Sequence, residues 1–324
     1  MKAFNILVTG GAGFIGSNLV ERLLNQKNKV TVLDNFSTGS KKNIQPFLGQ
    51  TNFRLLEGDI RDLKSCNEAC KGMDYVFHQA ALGSVPRSIN DPVTTAEVNE
   101  LGFVKMLVAA RDSKVKRFVY ACSSSTYGDS TALPKVENNI GRPLSPYAIT
   151  KFTNELYAEN FSRLYGVETI GLRYFNVFGR RQNPNGAYAA VIPKFCLALM
   201  AHQAPVINGD GTFSRDFCYI DNVIQANQLA AKTTNSSAIN QVFNVACGGR
   251  ITLEHLVNSL VRELSQFDRN IADIKAKYGP KRKGDVPHSQ ADISKATRLL
   301  GYQPSHYFED GIREAAAWYY ENLR

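Results

Sequence analysis

Short apolar runs alternate with amphipathic stretches through roughly the first half of the chain. Phe4-Asn-Ile-Leu-Val-Thr9, Lys29-Val-Thr-Val-Leu33, Phe53-Arg-Leu-Leu-Glu57, Asp74-Tyr-Val-Phe-His78, Lys116 to Cys122 and Glu168 to Arg173 each read as a strand. Between them, helical patterns run from the glycines after Thr9 to about Leu24, from Asp62 to Cys70, from about Thr94 to Arg111, and from Ser145 onward. Strands alternating with helices over about 175 residues predict an α/β fold with a doubly wound parallel sheet, with ligands at the carboxyl ends of its strands. From Asn176 the pattern becomes polar and turn-rich. Helices are then expected over about 190–201, 221–232, 252–264 and 312–323, a strand at Val242–Ala246, and a loop-like stretch from Lys281 to Asp292. The division expected is a first domain of residues 1–177 plus about 216–247, and a smaller α/β domain of 178–215 plus about 248–324.

Two stretches of this pattern carry chemistry. Gly10, Gly13 and Gly16 open a helix directly after a strand. Such a turn brings backbone close to a diphosphate and aims helix N–H groups at it. The next strand ends in Asp34, 18 residues beyond Gly16, where a carboxylate accepts from a ribose 2′-hydroxyl and repels a 2′-phosphate. Together they predict a dinucleotide site preferring NAD. The second stretch is Ser145-Pro-Tyr147-Ala-Ile-Thr-Lys151. Ser145 is a plausible N-cap and Pro146 suits the first turn, so Tyr147 and Lys151 share one helix face. A fixed ammonium beside a phenol favours phenolate and moves a group of pKa about 10 toward neutrality. The fifth strand ends in Ser123-Ser-Ser-Thr-Tyr-Gly128, 24 residues before Tyr147, and that loop can bring both to one edge of the sheet. There Tyr147 would take a proton from a substrate hydroxyl as hydride leaves the same carbon. A serine would hold the oxygen, and Lys151 would depress the phenol pKa and grip the nicotinamide ribose.

Composition narrows the picture further. Hydrophobic content of 44% and charged content of 21% describe an ordinary soluble globular protein. The net charge of +9 is scattered; the densest cluster is the short Lys281-Arg-Lys283, so no nucleic-acid partner is expected and a small polyanionic ligand accounts for the excess. Six cysteines make no C-x-x-C pair or Cys/His cluster, and the five histidines are dispersed. No metal site and no disulfide framework are expected. The start of the chain does not resemble a signal peptide and no apolar segment reaches membrane-spanning length. The expected setting is the cytoplasm, without a membrane partner.

The chain resembles the extended short-chain dehydrogenase/reductases over essentially its whole length, and within them the nucleotide-sugar 4-epimerases. It is most similar to the bacterial UDP-N-acetylglucosamine 4-epimerases that supply UDP-GalNAc and related sugars for surface polysaccharides. Carrying this are Thr9-Gly-Gly-Ala-Gly-Phe-Ile-Gly16, Asp34-Asn-Phe-Ser-Thr-Gly39, Gly58-Asp-Ile60, His78-Gln-Ala-Ala-Leu-Gly-Ser-Val-Pro-Arg-Ser88, Ser123 to Gly128, Ser145 to Lys151, Leu172 to Gln182 and Ser214-Arg-Asp-Phe217. The resemblance implies a Rossmann fold, tightly held NAD and a homodimer built on a four-helix bundle from the helices near 94–111 and 147–164. It implies an isomerase in which hydride leaves C4, the 4-keto sugar turns over, and hydride returns to the other face. On the family pattern Gly10, Gly13, Phe14, Ile15 and Gly16 lie along the diphosphate, and Asp34, Asn35, Ser37, Thr38 and Gly39 serve the adenosine end. Asp59 and Ile60 serve the adenine, and Gln79, Ala80, Ala81, Asn99 and Tyr174 the rest of the cofactor groove, with Tyr147 and Lys151. Asn176 and Arg215 would face the UDP phosphates and Asp285 the uridine ribose; Gly83, Ser84, Ser125, Tyr147, Gln182, Ala190 and Ser289 would line the sugar pocket.

Two departures bear on function. The serine strand is shorter than in the galactose-type epimerases, so Ser123 and Ser124 are both candidates for the C4 oxygen. Ser289 stands where the strict UDP-glucose epimerases place a tyrosine, which leaves room for a 2-acetamido group. UDP-glucose/UDP-galactose and the uronate forms remain alternative substrates. A nucleotide-sugar 4,6-dehydratase would need an acidic pair after its active-site serine, and a UDP-glucuronate decarboxylase usually has a Glu in the same stretch; no carboxylate lies between Ser123 and Gly128. A non-catalytic dinucleotide sensor on this fold tends to lose the tyrosine or the lysine, and both are present.

Overall fold

The computed structural model describes residues 3–184, 190–281 and 286–323. Its centre is a seven-stranded parallel sheet: β1 (Asn5–Thr9), β2 (Lys29–Asp34), β3 (Phe53–Glu57), β4 (Tyr75–His78), β5 (Arg117–Ser123), β6 (Thr169–Tyr174) and β7 (Gln241–Val245). The strand order is β3-β2-β1-β4-β5-β6-β7. This is the Rossmann-type arrangement that the alternating pattern predicts. The order in which strands are added reverses between β1 and β4, so a crevice opens at their carboxyl ends. Register brings the chemical groups to that edge: Thr9 pairs with His78, His78 with Tyr120, and Ser123 with Tyr174.

Successive side chains on each strand enter opposite cores. Ile6 and Val8 of β1 pack in one hydrophobic cluster and Leu7 in the other; Val119 of β5 belongs to the first, Phe118 and Tyr120 to the second. Each fully buried aliphatic contributes about 1.5–3 kcal/mol of hydrophobic stabilisation, so both faces of the sheet are committed to burial. Helices Phe14–Asn25 and Ile220–Lys232 cover the first face. Helices Leu63–Cys70, Gly102–Asp112 and Pro146–Tyr165 cover the second.

The helix bearing Tyr147 and Lys151 starts where its sequence says. Ser145 Oγ accepts from the Ala148 N–H at 3.2 Å, Pro146 occupies the first turn, and Gly166 ends it in the left-handed conformation (φ 68°). The helix expected over about 94–111 is instead three segments: Pro92–Ala96, a π-helical turn at Glu97–Leu101, and Gly102–Asp112. Asn99 within that turn explains the bulge. It grips Leu82 by accepting from its N–H (2.8 Å) and donating to its carbonyl (3.2 Å), and also donates to Thr150 Oγ1. A helix at Val85–Asn90, capped by Ser84, was not legible from the pattern, nor was one at Ser294–Leu300. The turn-rich remainder is held by small pairings: Val177–Phe178 with Cys218–Tyr219, Ser214–Arg215 with Ile251–Thr252, and Val206–Asn208 with Lys277–Gly279. Helices Val191–Met200, Leu253–Leu264 and Phe308–Asn322 pack on one another there. Among the described residues no helix is long and apolar enough to cross a membrane.

Candidate active site

A cavity of about 700 Å³ occupies the crevice. Gly10, Gly13, Phe14, Ile15 and Gly16 line it, with Asp34, Asn35, Ser37, Thr38, Asp59 and Ile60 along one stretch and Gln79, Ala80, Ala81 and Gly83 along another. Ser123, Tyr147, Tyr174, Gln182 and Ala190 line it too. The site therefore collects twenty of the expected residues around one space. Leu33, Gly58, Leu82, Arg87, Val98, Cys122, Val177 and Asn183 join them without having been anticipated; Arg87 lies inside a stretch singled out above, but nothing in the pattern aimed it inward.

The glycine turn is a cradle that side chains would fill. Gly10 has φ +67°, and a Cβ there would lie 2.8 Å from the Ala80 backbone. A Cβ on Gly16 would lie 2.1 Å from the Gly10 carbonyl oxygen. This space at a helix N-terminus fits a dinucleotide diphosphate. Asp34 is buried, and its two oxygens accept from the Ala12 and Phe36 N–H groups at 2.8 Å, which fixes the carboxylate at the strand end. Burial pushes its pKa up against those bonds. Asp59 is held well below the usual range, at about 2, chiefly by Arg61, whose guanidinium grips both its oxygens. Asn35 donates to the same carboxylate at 2.9 Å.

At the other end, Ser123 and Tyr147 both line the cavity wall. Ser123 Oγ accepts from the Ser125 N–H (3.1 Å) and hydroxyl (2.9 Å), so two donors of one residue fix it. Ser124 begins the short helical turn that follows and is not in the cavity wall. Burial pushes the Tyr147 phenol up from its ordinary value, with the Ser123 side chain opposing it. Lys151 does not reverse this. Its ammonium lies behind the wall, donating to the Ala121 carbonyl at 2.9 Å, and burial lowers its own pKa to about 8. The expected depression of the phenol by the lysine does not appear: the phenol's rise follows its own burial, and Lys151 is not among the groups that move it.

The other expected residues stand outside the wall. Gly39 packs on Ala12, Ser84 caps the Val85–Asn90 helix, and Asn99 is the buried strut under Leu82. Asn176 (φ +33°) donates to the Asp216 carbonyl at 3.2 Å. Arg215 donates to the Ser214 and Pro287 carbonyls, and the Ser289 N–H to Ser214, so Arg215 and Ser289 lie on adjoining segments. Asp285 lies outside the described residues. The pattern missed Asp216, which ties this region together. It is fully buried and accepts from the Cys247, Gly248 and Ala291 N–H groups at 3.0–3.1 Å. Burial pushes its carboxyl up to about 6 against those three donors. Its place in Ser214-Arg-Asp-Phe217 was the available signal.

One set of side chains has metal-ligand spacing among the described residues: Asp221, His306 and Glu314. Arg180 already bonds Asp221 at 2.8 Å and the Tyr219 hydroxyl donates to Glu314 at 2.9 Å, so a cation there would meet a guanidinium.

Residues 6–246 match the family model described as the NAD dependent epimerase/dehydratase family. A putative UDP-glucose 4-epimerase of Methanocaldococcus jannaschii is 36% identical over 322 residues, covering 98% of this chain and 99% of that protein. A UDP-N-acetylglucosamine 4-epimerase from Methanobrevibacter ruminantium, solved in complex with UDP-N-acetylmuramic acid, superposes with a TM-score of 0.92 at 39% identity, covering 99% of each chain. The Thermotoga maritima UDP-glucose 4-epimerase, solved with UDP-glucose, gives 0.90 at 35% identity, covering 99% of this chain and 100% of that one. A glycine cradle, a carboxylate at the end of β2 and a serine and a tyrosine lining one cavity agree with these matches: the chain belongs to the NAD dependent epimerase/dehydratase family and is an NAD-using enzyme of the UDP-sugar 4-epimerase kind.

Proposed function

We propose that this enzyme interconverts UDP-N-acetylglucosamine and UDP-N-acetylgalactosamine by inverting C4, supplying a surface-polysaccharide precursor in the cytoplasm. The observation that carries this reading is that Ser123 and Tyr147 stand together in the wall of the same cavity that the glycine turn lines. When bound, NAD accepts a hydride from C4 and gives it back. Tyr147 takes the proton from the 4-hydroxyl and returns it to the same oxygen when hydride comes back to the opposite face of the carbonyl carbon. Ser123 hydrogen-bonds the C4 oxygen in both steps, and Ser124 begins the turn that follows it. Lys151 holds positive charge behind the phenol and meets the nicotinamide ribose. Inversion needs the 4-keto sugar to rotate while its nucleotide stays held, so recognition of the UDP belongs to Asn176, at the end of the first domain, with Arg215 and Asp285 in the part formed by 178–215 and 248–324.

Two points favour the N-acetylated sugar. Ser289 is small where a tyrosine would crowd C2, and the Methanobrevibacter ruminantium relative is named for that substrate. UDP-glucose and the uronates are the competing substrates; of the residues expected to discriminate, Gly83, Gln182 and Ala190 line the cavity, and Ser84, Ser125 and Ser289 stand outside its wall. Dehydration is disfavoured because the first carboxylate after the serine turn in sequence, Asp129, accepts from the Arg142 N–H at 2.7 Å on an exposed loop. A homodimer accords with the apolar side chains that the two neighbouring helices expose: Val93, Leu101, Ile149, Leu156 and Leu164. Incubation with UDP-GlcNAc and no added reductant tests the reading: UDP-GalNAc should form, and its absence alongside turnover of UDP-glucose would overturn the substrate.

A further inference from the structure

Behind the Tyr147/Lys151 face lies a buried ion pair that the chemistry described so far does not use. Arg173 of β6 donates to Glu155 of the Pro146–Tyr165 helix through Nε (2.9 Å) and Nη2 (2.7 Å), and both side chains are under 10% exposed. Nη1 donates to the Glu137 carbonyl at 2.9 Å, and the guanidinium lies 4.9 Å from the centre of the Tyr127 ring. Stability alone is a weak reason for such a pair. Desolvating two ions costs several kcal/mol each, and well-packed apolar replacements of buried pairs are often neutral or stabilising.

Position gives a better reason. Glu155 is four residues beyond Lys151 and eight beyond Tyr147, so all three lie along one helix face. Arg173 pairs in register with Cys122, immediately before the cavity-lining Ser123. Of the titratable groups around the Lys151 ammonium, Glu155 on its own helix, His78 on β4 and Cys122 on β5 act on it directly, and Tyr120 on β5 and Arg173 on β6 join the set through Glu155 and Cys122. Burial holds His78 neutral, with a pKa of about 3, and pushes the Tyr120 phenol and the Cys122 thiol up, so they too are neutral near pH 7. Glu155 is the anion of that set.

We infer that Glu155, clamped by Arg173, is a positioning residue that keeps Lys151 charged behind Tyr147. The inference rests on the reading above that Lys151 serves Tyr147. Burial alone drives Lys151 toward its neutral form, and the Glu155 field opposes that loss. Arg173 fixes the carboxylate's direction and lets it remain ionised out of water.

The test is the pH dependence of kcat/KM with UDP-GlcNAc, or with whichever UDP-sugar the enzyme turns over, for the wild type, Glu155→Gln, Glu155→Leu/Arg173→Met, and Lys151→Arg. The wild type should lose activity above about pH 8, where Lys151 deprotonates. Glu155→Gln should move that alkaline limb down by about one pH unit. The double variant, which leaves no lone buried charge, should move it the same way, and it carries the test should Glu155→Gln fail to fold. An alkaline limb at the wild-type pH in the folded single or double variant, whatever the loss in rate, overturns the inference and leaves the pair a structural role. Lys151→Arg separates the two levels, because a guanidinium does not deprotonate in this range. If Lys151→Arg is active and keeps the wild-type limb, the limb is not Lys151's and the underlying reading fails instead.

Discussion

Gly16→Ala probes the cofactor cradle with a perturbation whose size the structure supplies. A Cβ on Gly16 would lie 2.1 Å from the Gly10 carbonyl oxygen, and 2.8 Å from both the Gly10 carbonyl carbon and Gly11 Cα. Contacts under 3.0 Å are essentially never tolerated by real Cβ atoms, so the carbonyl must retreat by about 1 Å. It is not free to do so, since it accepts the Gly13 N–H at 3.0 Å and closes the turn. Forcing a methyl into packed backbone costs about 1–3 kcal/mol, which for a chain of this length lowers Tm by about 2–4 °C. The larger effect should be on NAD. Displacing the N–H groups that meet the diphosphate weakens charge-assisted bonds of about 1.5–3 kcal/mol each, so losing the equivalent of one weakens NAD binding about 10- to 100-fold. The assay is NAD released from purified protein by denaturation, with thermal unfolding measured with and without added NAD. Full NAD occupancy and an unchanged Tm in Gly16→Ala would refute the argument that the cradle is filled by close backbone approach.

Three further outcomes follow from the site. Tyr147→Phe should keep the fold and NAD but lower kcat about 10²- to 10⁴-fold, the usual worth of a positioned acid/base; turnover within a few-fold of wild type would remove Tyr147 from the chemistry. Ser289→Tyr should lower kcat/KM for UDP-GlcNAc relative to UDP-glucose, measured by chromatography of both products, and an unchanged ratio would defeat the pocket argument. In sedimentation at micromolar concentration the wild type should show the mass of two chains, and Leu156→Glu on the exposed helix face that of one; a single-chain mass for the wild type would end the dimer proposal.

What could be read from the sequence was what local chemistry determines. The turn after β1 and the start of the Tyr147 helix depend on neighbouring residues alone: glycines where backbone crowds, and a serine and proline where a helix begins. The Glu97–Leu101 π-turn was hidden because Asn99 is held by Leu82 from another element. Strands of two or three residues, such as Ser214–Arg215, are too short to show a period. Asp216 escaped notice for a related reason: its partners are backbone N–H groups at 247, 248 and 291, which no side-chain pattern reports. Glu155 and Arg173 are 18 residues apart on a helix and a strand, and only the packing of that helix on β6 joins them. Nor could spacing reveal that Lys151 turns to the Ala121 carbonyl, or that the phenol's pKa follows its own burial.

The most direct test of C4 inversion by internal oxidation and reduction is to follow UDP-GlcNAc carrying deuterium at C4. The enzyme, with only its bound NAD, should convert it to UDP-GalNAc that retains the deuterium at C4, and should reach the same mixture from UDP-GalNAc. Deuterium lost to solvent, NADH accumulating in proportion to sugar consumed, or a product lacking the elements of water would contradict it.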